Sequence, residues 1–138
     1  MKKGAILLCL FAVFLASCTH TDTSGSDENL PSLITLTCNP DYTFEPCQDI
    51  QFDEPTEVRM IMNAIENAEL LPGNLNYAAQ YKMSITNTDR SVTKYDFSIG
   101  TDPEMKALLV DGIDTTTGYS ISLEDANQLR SLMKKHTD

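Results

Sequence analysis

The sequence predicts an α+β fold, a small antiparallel sheet with two helices packed on one face. Three observations carry this reading. Tyr81–Ile85 and Tyr95–Ile99 alternate apolar and polar residues around the turn Asn87-Thr88-Asp89-Arg90; this is the pattern of a hairpin with one packed and one solvated face. Two other stretches repeat apolar residues at helical spacing. The connections are short, which favours antiparallel neighbours over parallel crossovers, apart from the link through the first helix.

Order is expected from about Leu30. Leu33-Ile-Thr-Leu-Thr-Cys38 is β-rich in type, and Asn39-Pro40-Asp41 is a turn cluster. Tyr42, Phe44, Ile50 and Phe52 follow in a strand-like alternation, so a first hairpin or irregular ribbon is expected over residues 32–52. The first helix is expected from Asp53 to Leu71, capped by Asp53 or Thr56 with Pro55 in its first turn. Val58, Ile61, Met62, Ile65 and Ala68 make its buried face, Glu57, Arg59, Glu66 and Glu69 fall elsewhere, and Pro72-Gly73 stops it. After the hairpin, Met105–Val110 suits either a strand or a short helical turn. Residues 114–118 turn into a strand with Tyr119 and Ile121 on one face. A last helix runs from about Leu123 to Lys135, with Ser122 and Asp125 in a capping-box arrangement. Leu123, Ala126, Leu129, Leu132 and Met133 form its stripe. Lys134, Lys135 and His136 suit the negative end of the helix dipole, and His136 is expected to fray.

The amino terminus reads as an address. Lys2 and Lys3 precede a twelve-residue apolar run from Ala5 to Ala16. That run is too short to span a bilayer and has the dimensions of a secretory signal core. Leu15-Ala16-Ser17-Cys18 matches the lipobox of bacterial lipoproteins, which implies acylation of Cys18 and cleavage before it. Several acyl chains on one residue hold a protein durably on a membrane. Residues 1–17 are therefore expected to be a lipoprotein signal peptide, 18–29 a lipidated tether, and 30–138 one globular domain. The tether segment Thr19–Asn29 lacks aliphatic and aromatic residues and cannot offset its ordering entropy by burial. The expected location is the extracytoplasmic face of the cell membrane.

Charge narrows the partners. The chain carries 20 acidic and 10 basic side chains, a net charge of −10. Such a chain repels phosphate backbones, so no nucleic-acid partner is expected. It also repels anionic head groups, so the acyl chains alone must hold the membrane.

Catalytic signatures are sparse. G-x-S-x-G, S-x-x-K, H-E-x-x-H, C-x-x-C, G-x-G-x-x-G and P-loop patterns are all missing, and the histidine of the folded part, His136, lies two residues from the carboxy terminus. No catalytic residue and no cofactor are assigned, and the expectation is a non-enzyme. Carboxylates such as Asp49, Glu57, Asp96, Asp102 and Glu104 are plentiful, as in any acidic chain, and leave a carboxylate-based hydrolase as a remote reading. Asp111 and Asp114, in a loop with Gly112 and Gly118, are the candidate ligands for a cation such as calcium, although EF-hand spacing is absent. Cys38 and Cys47 read as a disulfide in an extracytoplasmic domain, the alternatives being free thiols or a metal pair. Tyr42, Phe44 and Tyr77 lie outside the apolar stripes and are the candidate partner-binding residues, or else they cover the core beneath the cysteine loop.

Ile61–Ala68, Leu71-Pro-Gly73, Tyr81–Ile85, Tyr95-Asp-Phe97, Asp114–Tyr119 and Leu123–Leu129 together resemble the small YhfM-like lipoproteins of Gram-positive spore-formers. The resemblance spans about residues 33–135, and the Cys38/Cys47 loop departs from it. It implies a lipoprotein on the outer leaflet of the cytoplasmic membrane and transfers no catalytic residue. The expected function is a non-catalytic, lipid-anchored envelope protein that binds a protein or peptide. The alternative is an accessory domain for a small molecule or cation.

Overall fold

The computed structural model describes residues 29–42 and 47–138. The expected signal peptide, the expected lipidation site Cys18, nearly all of the expected tether and the partner-binding candidate Phe44 lie outside these residues. The described chain runs β1 (Leu33–Cys38), β2 (Ile50–Phe52), α1 (Pro55–Glu66), β3 (Glu69–Leu71), β4 (Tyr81–Thr86), β5 (Val92–Ser98), β6 (Ala107–Asp111), β7 (Gly118–Ile121) and α2 (Leu123–Thr137). All seven strands join one antiparallel sheet in the order β2-β1-β4-β5-β6-β7-β3. The fold is α+β, with an antiparallel sheet and two helices, as the alternating and helical patterns require.

The hairpin expected at β4–β5 pairs Tyr81 with Phe97, Met83 with Tyr95 and Ile85 with Thr93. Tyr81, Met83, Ile85 and Phe97 point to the core with Ile34 and Leu36 of β1 and Ile50 and Phe52 of β2. The helices close this face. Val58, Ile61 and Ala64 of α1 and Ala126, Leu129 and Leu132 of α2 are buried against it. Burial of the valine, isoleucine and leucine side chains among these stabilises the fold by roughly 1.5–3 kcal/mol each. Among the described residues no helix is long and apolar enough to cross a membrane.

Three local expectations are corrected, and one that was left open is resolved. The first helix ends at Glu66, capped by Asn67, and Glu69–Leu71 forms an edge strand against Gly118–Ser120. Sheet pairing with a distant strand outweighs helical spacing there, and Pro72-Gly73 ends a strand instead of a helix. The helix cap is Glu54 without a side-chain bond; Pro55 fills the first turn as expected. The ambiguous segment resolves to a strand, β6, because Leu109 and Val110 find partners in both β5 and β7. Leu123 lies at the solvated start of α2 and is 41 % exposed, whereas Ser122 caps that helix by accepting from the Asp125 N–H at 3.1 Å.

The second face of the sheet is not left to water. Residues 72–80 leave the β3 edge and cross back over β7, β6 and β5 to begin β4. Leu75 packs where a Cβ on Gly118 would stand, Tyr77 donates its hydroxyl to Asp96 at 2.9 Å, and Ser98 Oγ donates to the Ala78 carbonyl at 2.7 Å. Val110, on that outer face, is fully buried as a result. Asp96 was expected on the solvated side of the hairpin. It is 9 % exposed beneath the crossing segment and accepts from Lys82 Nζ at 2.6 Å.

Candidate functional site

The Cys38 end of the sheet gathers the groups of interest. There the chain leaves β1, turns at Asn39 and returns to β2 through a Cys38–Cys47 disulfide. Asp49 Oδ1 accepts the Cys38 N–H at 2.8 Å, and Asn39 Nδ2 donates to the Ala79 carbonyl at 2.8 Å. The Asn39 N–H also donates to the Gln80 carbonyl at 2.9 Å. These bonds tie the cysteine loop to the start of β4. A bond closing a loop of this length constrains the unfolded chain, so replacing both cysteines by alanine is expected to lower stability by about 2–3 kcal/mol. Urea denaturation of the oxidised parent and the double variant measures it; a loss below about 1 kcal/mol contradicts a clamping role.

Beside this loop lies a cleft of about 390 Å³ between the sheet end and the last turns of α2. Ile50, Tyr81, Ile99 and Met133 give it apolar walls; Gln80, Arg130 and Lys134 give it polar ones. Gln80 is only 4 % exposed. Its Oε1 accepts from the Gly100 N–H at 3.0 Å and from the Ile99 N–H at 3.4 Å. Those donors fix which end of the amide faces them. Arg130 is the post on the α2 side. Its Nε donates to the Gly100 carbonyl at 3.1 Å, Nη2 to the Ile99 carbonyl at 2.7 Å and to the Met105 carbonyl, and Nη1 to Asn127 Oδ1 at 2.8 Å. A planar fork of donors suits this set of acceptors, which a lysine could not serve. The result is a rigid Ile99–Met105 rim, with Gly100 in the left-handed region at φ 59°.

Around the corner, α1 and α2 are joined by a second cluster. Glu57 is 7 % exposed and accepts from Lys135 Nζ at 2.7 Å; its other oxygen lies 2.9 Å from His136 Nε2. The His136 ring packs edge-on against Phe52, with centroids 4.9 Å apart. Two expectations fail here. Glu57 is buried, and His136 is pinned instead of frayed. The basic end of α2 serves the dipole and also neutralises a carboxylate on α1.

The Lys135 ammonium, followed by His136, holds the Glu57 carboxyl below its ordinary value of 4.5, against the opposing effect of burial; Lys135 is raised from 10.5, chiefly by Glu57. A lowered carboxylate contributes stability above pH 4.5 that is lost as pH falls through its folded value. A raised ammonium contributes below pH 10.5 and loses that contribution as pH rises through its folded value. Glu57→Gln is therefore expected to cost about 1 kcal/mol near neutral pH, converging with the parent well below pH 4.5. Urea denaturation across pH 3–7 checks it, and a gap that persists undiminished at the acid end contradicts the ionic account.

The sequence-predicted site residues scatter. Cys38 and Cys47 are bonded. Tyr42 is half-buried beside them. Tyr77 is a strut of the crossing segment, and its hydroxyl is pushed up to about 12 by burial and by Asp96. Asp111 and Asp114 lie together in the β6–β7 turn. Asp111 Oδ1 accepts from the Ile113 and Asp114 N–H groups at 2.7 and 2.8 Å. The Asp114 oxygens accept from the Thr116 N–H and from the Thr116 and Thr117 hydroxyls. These carboxylates shape their own turn. No group of three or more His, Cys, Asp or Glu that could hold a metal occurs among the described residues. Sequence reasoning missed Gln80, Arg130 and the Glu57 cluster. Arg130 interrupts the Leu129–Leu132 apolar stripe, and that was the available signal.

A small α+β domain with a disulfide-bordered cleft is the class that fold and geometry define. The YhfM protein family matches residues 41–138, and the chain belongs to that family. No curated protein and no solved structure matches it.

Proposed function

We propose that this is a non-catalytic, lipid-anchored protein of the cell envelope whose extracytoplasmic domain holds a protein or peptide partner. One observation carries the binding half of this reading. The cleft beside the disulfide has apolar walls and a buried amide, and no His, Asp or Glu lines it among the described residues. Rigid walls with few convergent polar groups suit recognition. Proton transfer by a carboxylate or imidazole would need a group that this lining does not supply. The anchoring half rests on the lipobox-like Leu15–Cys18. A tether on a membrane raises the effective concentration of the domain near membrane-bound partners.

In-cell crosslinking with mass spectrometry of the membrane fraction tests both halves, with Cys18→Ala as the control and an alkynyl fatty acid fed to the cells. The expected result is label on the parent but not on Cys18→Ala, and one partner captured by the anchored form. An unlabelled parent removes the anchor, and an empty capture of abundant, folded protein removes the stable partner.

A further inference from the structure

We propose that the cleft at the Cys38 end of the sheet captures the carboxy terminus of a peptide, its free carboxylate included. This rests on the binding reading above and names its ligand.

The first ground is Gln80. With Oε1 committed to the Ile99 and Gly100 N–H groups, the side chain has two Nε2 hydrogens left. No acceptor among the described residues meets them, although the residue is 4 % exposed and lines the cleft. Buried donors demand acceptors. A ligand oxygen placed against Nε2 supplies that acceptor.

The second ground is charge. The chain has twice as many acidic as basic side chains, yet the charged residues of the described lining are Arg130 and Lys134. Arg130 is committed to the carbonyls of the rim. Lys134 is 74 % exposed at the mouth, and its pairing with Asp138 is long, at 4.0 Å. A single mobile ammonium suits a single negative charge better than a phosphate dianion. A chain terminus offers one carboxylate, an amide carbonyl one residue back and an apolar side chain between them. Those features meet Lys134, Gln80 and the Ile50–Ile99–Met133 wall respectively. Capture of a chain terminus is a recurring mode of peptide recognition, in which backbone donors serve the carboxylate; here side-chain donors take that place. The volume of about 390 Å³ suits a few residues, and the open side lets the remaining chain leave.

The test is a fluorescence-anisotropy titration of the full chain in mild detergent. The probes are dye-labelled tetrapeptides, three alanines followed by Val, Leu, Ile, Met or Phe, each as free acid and as amide. Isovalerate is the competitor. At least one free acid is expected to bind saturably, and its amide about tenfold more weakly. Lys134→Glu, on an exposed helix face, is expected to weaken the acid about tenfold. Gln80→Glu keeps an acceptor for the Gly100 N–H and replaces the donor, so it is expected to abolish binding; amide exchange at Gly100 verifies its fold.

Equal binding of acid and amide, no binding by any acid, or no effect of Lys134→Glu overturns the proposal. Isovalerate competing as well as the tetrapeptide overturns the peptide in favour of a free small acid. A crosslinked partner that survives Gln80→Glu in cells sinks this cleft as the site and leaves the anchored binding protein standing.

Discussion

Phe97→Ala lowers the free energy of unfolding by about 3–5 kcal/mol. Phe97 is 1 % exposed on β5, opposite Tyr81 of β4 and Leu109 of β6. Its ring lies 6.4 Å from that of Tyr81. Leu36, Phe52, Met83 and Leu129 line with it a gap of about 10 Å³, far smaller than the ring that the substitution removes. Neighbours on strands paired from both sides relax poorly, and the cavity remains. Small domains hold roughly 5–15 kcal/mol in all, so this variant stands near the edge of folding. Urea denaturation with an unchanged slope is the measurement. Val92→Ala on the same strand, where the side chain is 50 % exposed, is the control and is expected within about 0.5 kcal/mol of the parent. A Phe97→Ala loss below about 1.5 kcal/mol would mean that the core packs otherwise.

Arg130→Met is expected to cost about 2–4 kcal/mol, because it strips the donors from three backbone carbonyls and one amide at once. Arg130→Lys is expected to recover less than half of that loss. An ammonium can approach one or two of these acceptors, and it lacks the fork that reaches Ile99, Gly100 and Met105 together. Hydrogen exchange should localise the damage. Amides from Gly100 to Lys106 lose protection in both variants, while those of β1 and β4 keep theirs. Uniform loss across the sheet, or full rescue by lysine, contradicts the clamp.

Much of this architecture was legible in the sequence because it rests on period and turn chemistry. The β4–β5 alternation located that hairpin and its packed face, and the Ser122–Asp125 pair located the start of α2. What misled was short-range inference about residues whose fate is decided far away in sequence. Glu69–Leu71 continues a helical pattern, yet it pairs with residues about 50 positions later. Glu57 looks like a solvated helix charge until residues 135 and 136 arrive against it. Asp96 alternates outward from the core, and only a crossing segment with no periodicity of its own covers it. The site was less legible for the same reason. Gln80 is an unremarkable polar residue in sequence; its meaning comes from the Ile99–Gly100 turn that claims one end of its amide. Cysteine spacing located the loop beside the cleft but not the cleft.

The direction of β1 sets the cleft apart from the place where the amino-terminal segment joins the domain. The strand begins at Leu33, where the amino-terminal segment joins, and ends at Cys38 beside the cleft. The six residues of this strand separate its two ends by about 17 Å. Held at Cys18 as proposed, the domain would meet its tether at one end of β1 and a ligand at the other, so a partner bound in the cleft need not touch the segment that leads to the membrane.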